Sequence, residues 1–149
     1  MDTNFIISEV KYKLLEGRMY KATLAELQSR LDSLSDKQRS DVFLKIQDAK
    51  LKTPLIIFMC NFLVGTLGVG RFMIGDWGIG IGRLALFLIW CVTGALNDGS
   101  AEMKIVDMSF AIFVWGWWIV DLFLVNKKVR MQNLRKVLLA IDSVKNQSK

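Results

Sequence analysis

Apolar positions along this chain change their spacing twice. From Phe5 to Ala49 they recur at helical intervals. Phe5, Ile6, Val10, Leu14 and Leu15 fit one face of a first helix, and Gly17 is its expected stop. Leu24, Leu27, Leu31 and Leu34 form a second stripe. Ser35 followed by Gln38 reads as a capping box that opens a third helix, with Val42, Phe43, Ile46 and Ala49 on its apolar face. After Lys52 the periodicity gives way to continuous apolar runs, and Pro54 stands where a helix can begin. Residues 53–70, TPLIIFMCNFLVGTLGVG, are 18 residues without a charge. Residues 84–97 are a second uncharged run of 14. A third covers 108–120, and reaches Asn126 if Asp121 is admitted. Beyond Lys127 the helical interval returns, with Leu134, Val137, Leu138 and Ile141 in one stripe.

The runs are long enough to suggest a bilayer. Eighteen apolar residues meet the length needed to span a hydrocarbon core about 30 Å thick. Residues 110–126 reach about 25 Å at 1.5 Å per residue. Three such runs so close together leave little polar surface with which a water-soluble fold could wrap them. The segment MDTNFIISEVKYKLLEG carries Asp2 early and has no cleavage-like site, so a signal peptide is not expected.

Charge then sets an orientation. Lys45, Lys50 and Lys52 precede the first run, and Lys127, Lys128, Arg130, Arg135 and Lys136 follow the last. Residues 97–109 carry Asp98, Glu102 and Asp107 against Lys104. The positive-inside rule puts both ends in the cytoplasm and this acidic stretch, read as a loop, outside. Both ends on one side require an even number of crossings. The expected arrangement has 54–74 crossing outward and 110–126 crossing back, with 79–96 short, broken or re-entrant; three full crossings are the alternative. The fold class is thus all-α: an integral membrane helical hairpin with a cytosolic amphipathic helical region at 1–52, a membrane domain at 53–126 and a basic cytosolic tail helix at 127–149.

Composition removes several chemistries. The 149 residues include no His, so a His-based triad, a His metal site and a His pH switch are excluded. The 2 Cys, Cys60 and Cys91, lie far apart in apolar runs and read as small hydrophobes, not as a disulfide framework or a zinc site. The net charge of +6 is concentrated in the tail. Lys127, Lys128 and Arg130 are the candidates for anionic lipid headgroups. No aromatic platform accompanies them, so nucleic acid is not an expected partner.

The stretch from Lys52 to Arg83, KTPLIIFMCNFLVGTLGVGRFMIGDWGIGIGR, and VWGWWIVDLFLV at 114–125 hold the recognisable motifs. Together they resemble the TM-two (two-transmembrane) domain family, over about residues 50–136. Gly65, Gly68, Arg71, Phe72, Met73 and Gly75 fall on the first half of that family's pattern, and Trp117 and Asp121 on its final Trp-x-x-x-Asp. Asp76, Gly78, Gly80 and Arg83 resemble its bacterial branch. Two positions depart from the pattern. Gly70 stands where the family has His or Asp, and the polar 97–109 stretch replaces a short Gly-rich turn. The resemblance implies an architecture and a bacterial inner membrane; it does not imply an activity.

Arg71 and Asp121 are the charges hardest to accommodate, because an unpaired charge near the bilayer centre costs about 2.5–3.5 kcal/mol. An Arg71–Asp121 ion pair is the expected resolution. The dense glycines allow close helix approach and sharp turns. Gly78-Ile-Gly80-Ile-Gly82 matches neither a P-loop nor a dinucleotide fingerprint. Trp77, Trp115, Trp117 and Trp118 read as interface or helix-contact residues. No nucleophile–base pair, cofactor motif or metal-ligand spacing is visible. The expected function is that of a non-enzymatic integral membrane protein, in contact with membrane lipids, that binds a protein partner or forms a homo-oligomer. The alternative is a permeabilising or conducting protein, such as a bacterial toxin or its immunity partner.

Overall fold

The computed structural model describes residues 2–14, 18–97 and 99–147, with backbone only at 18–20. Leu15, Gly17 and Asp98 lie outside the described residues. The fold is all-helical: α1 (Thr3–Val10), α2 (Arg18–Asp32), α3 (Asp36–Asp48), α4 (Pro54–Val64), α5 (Val69–Ile74), α6 (Trp77–Ala95) and α7 (Ala101–Gln147). Short 3-10 turns at Lys11–Lys13 and Gly65–Leu67 follow α1 and α4. The chain divides into two compact units, one of Met1–Pro54 with Lys127–Lys149, the other Leu55–Asn126.

The first unit is built from the amphipathic stripes. Ile6, Val10, Leu14, Leu27, Leu31, Leu34, Val42 and Ile46 share one core with Val137, Ile141 and Val144 from the end of α7. The two flanks, which the sequence pattern leaves separate, are therefore one folded body. Ser35 and Gln38 make the capping box at the start of α3, with Ser35 N donating to Gln38 Oε1 at 2.9 Å. Asn133 ties the unit together from within. Its amide nitrogen donates to Lys13 O at 2.8 Å and Lys52 O at 2.7 Å, while its oxygen accepts from Lys52 N at 3.0 Å. Lys136 Nζ donates to Ala49 O at 2.6 Å, where α3 ends. Arg130, expected at lipid headgroups, turns inward and donates from Nη1 to Leu14 O at 2.9 Å. Lys127 and Lys128 stay exposed.

The second unit corrects the expected helix lengths. The break falls in 54–74, not in 79–96. α4 has 11 residues and α5 has 6, about 16 Å and 9 Å at 1.5 Å per residue. Gly68, with φ of +76°, ends the 3-10 turn between them, and Gly75, with φ of +86°, ends α5. α6 instead runs unbroken for 19 residues, about 28 Å. Gly78, Gly80 and Gly82 fall within its first turns but keep helical dihedrals, so they do not interrupt it. The 97–109 stretch is not a long loop either, because α7 begins at Ala101. Glu102 and Asp107 lie on that helix, and Asp107 Oδ1 accepts from Trp90 Nε1 at 2.9 Å. Two helices, Trp77–Ala95 and Ala101–Gln147, are long and apolar enough to cross a membrane. Large apolar side chains on both point outward, among them Ile81, Leu88 and Val92 on α6 and Ile112, Ile119 and Phe123 on α7.

Candidate functional site

Four charges meet inside the second unit. Arg71 comes from α5, Asp76 from the N-terminal cap of α6, Arg83 from the body of α6 and Asp121 from α7. Their approach begins with local backbone geometry. The left-handed Gly75 lets the chain reverse, and Asp76 N donates back to Arg71 O at 2.8 Å. This turn sets the Asp76 carboxylate against the Arg71 guanidinium, with Nη1 to Oδ2 at 3.0 Å. Asp76 caps α6 by position only, since its side chain serves Arg71 rather than the helix.

Asp121 is the centre of the group and has no exposed surface. Its Oδ1 accepts from Arg71 Nε at 2.8 Å and also from Arg71 Nη2. Its Oδ2 lies 2.6 Å from Arg83 Nη1. The expected Arg71–Asp121 pair is therefore present, and it has two further members. Arg71 and Arg83 are 7% and 6% exposed. Two positive and two negative charges leave the cluster formally neutral. A neutral, mutually paired set can be buried where an isolated ion could not, although its Coulomb energy largely offsets desolvation and adds little net stability. The cluster joins α5, α6 and α7.

The glycines of the motif sit where backbones or side chains crowd. A Cβ at Gly68 would meet Gly80 O at 2.8 Å, and one at Gly80 would meet the Phe72 ring at 2.6 Å. Phe72 also packs on Trp77, with ring centroids 5.4 Å apart. Gly65 faces Asn61 and Trp118, with a Cβ there 2.8 Å from Asn61 Oδ1 and 2.9 Å from Trp118 Nε1. Trp118 Nε1 donates to Asn61 O at 3.0 Å, near the end of α4. Trp117, four residues before Asp121, remains half-exposed and packs edge-on to Phe113, with ring centroids 5.5 Å apart.

Asn61 is the residue that motif reasoning missed. It is fully buried, and a side chain at Gly70 would overlap its amide. Gly70 thus makes room for a polar group supplied by α4. The signal was present: Asn61 is the one amide in the uncharged run 53–70. Asn133, the tie of the first unit, carries no such signal, since it lies among charged tail residues where an amide is unremarked. Among the described residues, no cluster of three or more Cys, Asp or Glu is placed to hold a metal ion. Cys60 and Cys91 are free thiols.

Compared with protein-family models, curated proteins and solved structures, the chain gives no match.

Proposed function

We propose that this chain is an integral membrane protein that works by binding a protein partner or further copies of itself, and not by catalysis. The observation that carries the reading is a closed, neutral charge cluster beneath the apolar exterior of two membrane-length helices. Large outward-facing apolar surfaces are costly in water and ordinary in lipid. A cluster whose carboxylates are engaged by guanidinium groups suits a clamp better than a proton or ion path.

The same reading gives a topology. The N-terminal and C-terminal flanks share one core, so both lie on the same side of any membrane that residues 55–126 enter. The crossings between them are then even in number. α6 and the part of α7 before Lys127 supply two. α4, at about 16 Å, is too short to supply another. α4 and α5 form a re-entrant pair, which the packing of Asn61 on Gly70 supports. The Lys/Arg excess favours both ends in the cytoplasm and the connection around Ser100 outside; the bacterial inner membrane in this reading rests on the TM-two resemblance alone.

The test is alkaline carbonate extraction followed by cross-linking in native membranes. The expected result is retention in the membrane pellet and one stoichiometric partner, or a ladder of copies. A chain released by carbonate overturns the membrane placement. Dye leakage from vesicles that contain this protein alone would replace the binding reading with the permeabilising one.

A further inference from the structure

The face of α6 and α7 beside the charge cluster contains a groove of about 880 Å³. Gly82 of α6 and Gly116 of α7 line the groove, and a Cβ at either would meet nothing within 4 Å. Along α7 the wall extends from Ile112 to Leu124, about 18 Å at 1.5 Å per residue. The lining is apolar apart from two residues, Arg71 and Arg83, and neither Asp76 nor Asp121 belongs to it. Arg71 and Arg83 are thus the two cluster members that belong to its wall.

The two arginines differ in what they have left to offer. Arg71 spends Nε, Nη1 and Nη2 on the two carboxylates. Arg83 approaches Asp121 Oδ2 through Nη1 at 2.6 Å as an ion pair, and its Nη1 and Nη2 are both buried without a hydrogen-bond partner among the described residues. A buried charged donor without an acceptor is costly, and an anionic oxygen would relieve it through a charge-assisted bond.

We propose that this groove seats one anionic phospholipid, with an acyl chain over Gly82 and Gly116 and a phosphate oxygen at Arg83. The proposal rests on the membrane placement above. Charge complementarity selects the occupant, since the wall is apolar along its length and cationic at one place. Depth agrees with it. Asp121 lies five residues from the Asn126 limit of its unit, about 7.5 Å along the helix. A guanidinium at that level reaches toward headgroups as long basic side chains do near helix ends. A helix from a second copy could fill the groove, but it would have to bring its own acceptor for Nη2.

The test is native mass spectrometry of the full chain, extracted from vesicles of equal phosphatidylglycerol and phosphatidylcholine. One retained phosphatidylglycerol per chain is expected, preferred about tenfold, the scale of one charge-assisted hydrogen bond. Gly116→Leu projects into open space and leaves the cluster untouched, so it should fold and lose the retained lipid. Arg83→Gln should lose the preference for phosphatidylglycerol. Millimolar inorganic phosphate should not displace the lipid; displacement would mean that the site reads a free anion, and the proposal falls. It falls also if no lipid is retained and Gly116→Leu instead disperses an oligomer, which would make the groove a protein interface. Retention in the carbonate pellet alongside either failure leaves the membrane placement standing, whereas release by carbonate sinks both.

Discussion

A carboxylate held between two guanidinium groups, with no exposed surface of its own, is stable only while all the charges are present. Removing Asp121 leaves Arg71 and Arg83 as buried cations without their shared counter-ion. Breaking a buried pair in this way costs about 3–5 kcal/mol, whereas replacing the whole set with apolar residues can be nearly neutral. Asp121→Leu should therefore lower unfolding stability in detergent by about that amount. Adding Arg71→Met, Arg83→Met and Asp76→Asn to it, so that no charge of the set is left alone, should recover most of the loss. A quadruple variant no more stable than the single one would show that the cluster does more than balance charge. Asn133 makes a separate prediction in the other unit. Its amide satisfies two carbonyls and one N–H of the chain, and the residue is 1% exposed. Asn133→Ala leaves those groups buried and unpaired, at about 1–3 kcal/mol for such a group. Denaturant titration of the full chain should show a fall of about 2 kcal/mol or more.

At the level of elements, glycine has two opposite roles in one stretch of chain. Gly68 and Gly75 take left-handed conformations that end helical segments, whereas Gly82 lies inside α6 with open space beside it. Gly68→Ala meets both a strained φ of +76° and the Gly80 carbonyl. It should cost about 2 kcal/mol or more, since the left-handed conformation alone costs roughly 1–2 kcal/mol in a residue with a Cβ. Gly82→Ala should be neutral or stabilising by about 0.5–1 kcal/mol, the usual gain from removing a helix-interior glycine. Thermal unfolding of the two variants in the same detergent checks both. Sequence pattern could not sort these glycines. An uncharged run longer than 17 residues reads as one crossing, and nothing local says which of its glycines will take positive φ. Here the Gly68 backbone is pressed against Gly80, a contact between two different helical segments. The α6 run, in contrast, looks too short because Arg83 interrupts the count of uncharged residues. Once Asp121 pairs with Arg83, that charge no longer limits the helix.

For the molecule as a whole, the proposed topology rests on the shared core of the two flanks. Single-cysteine variants in a background without Cys60 and Cys91 test it with a membrane-impermeant thiol reagent. Ser8→Cys and Lys145→Cys should be protected in right-side-out vesicles and react only after permeabilisation. Glu102→Cys, at the exposed start of α7, should react from outside. Labelling of Ser8→Cys and Lys145→Cys from opposite faces would overturn an even number of crossings. Lys/Arg asymmetry and a common core are independent arguments for the same arrangement, one from insertion energetics and the other from packing.

Several features were determined by the sequence alone: the helical class, the amphipathic stripes of the flanks, the capping box at Ser35, the apolar character of 53–126 and the need for Arg71 to find Asp121. These follow from the period, capping and charge of neighbouring residues, which act within one or two helical turns. Only the tertiary structure decided that Arg83 and Asp76 complete the cluster, that Asn61 fills the space beside Gly70, that Arg130 turns inward and that the break lies in 54–74. Most of these depend on partners brought together by folding, such as Arg71 and Asp121, 50 positions apart. The energy of such a contact is a property of the packed pair, and neither residue's local sequence contains it.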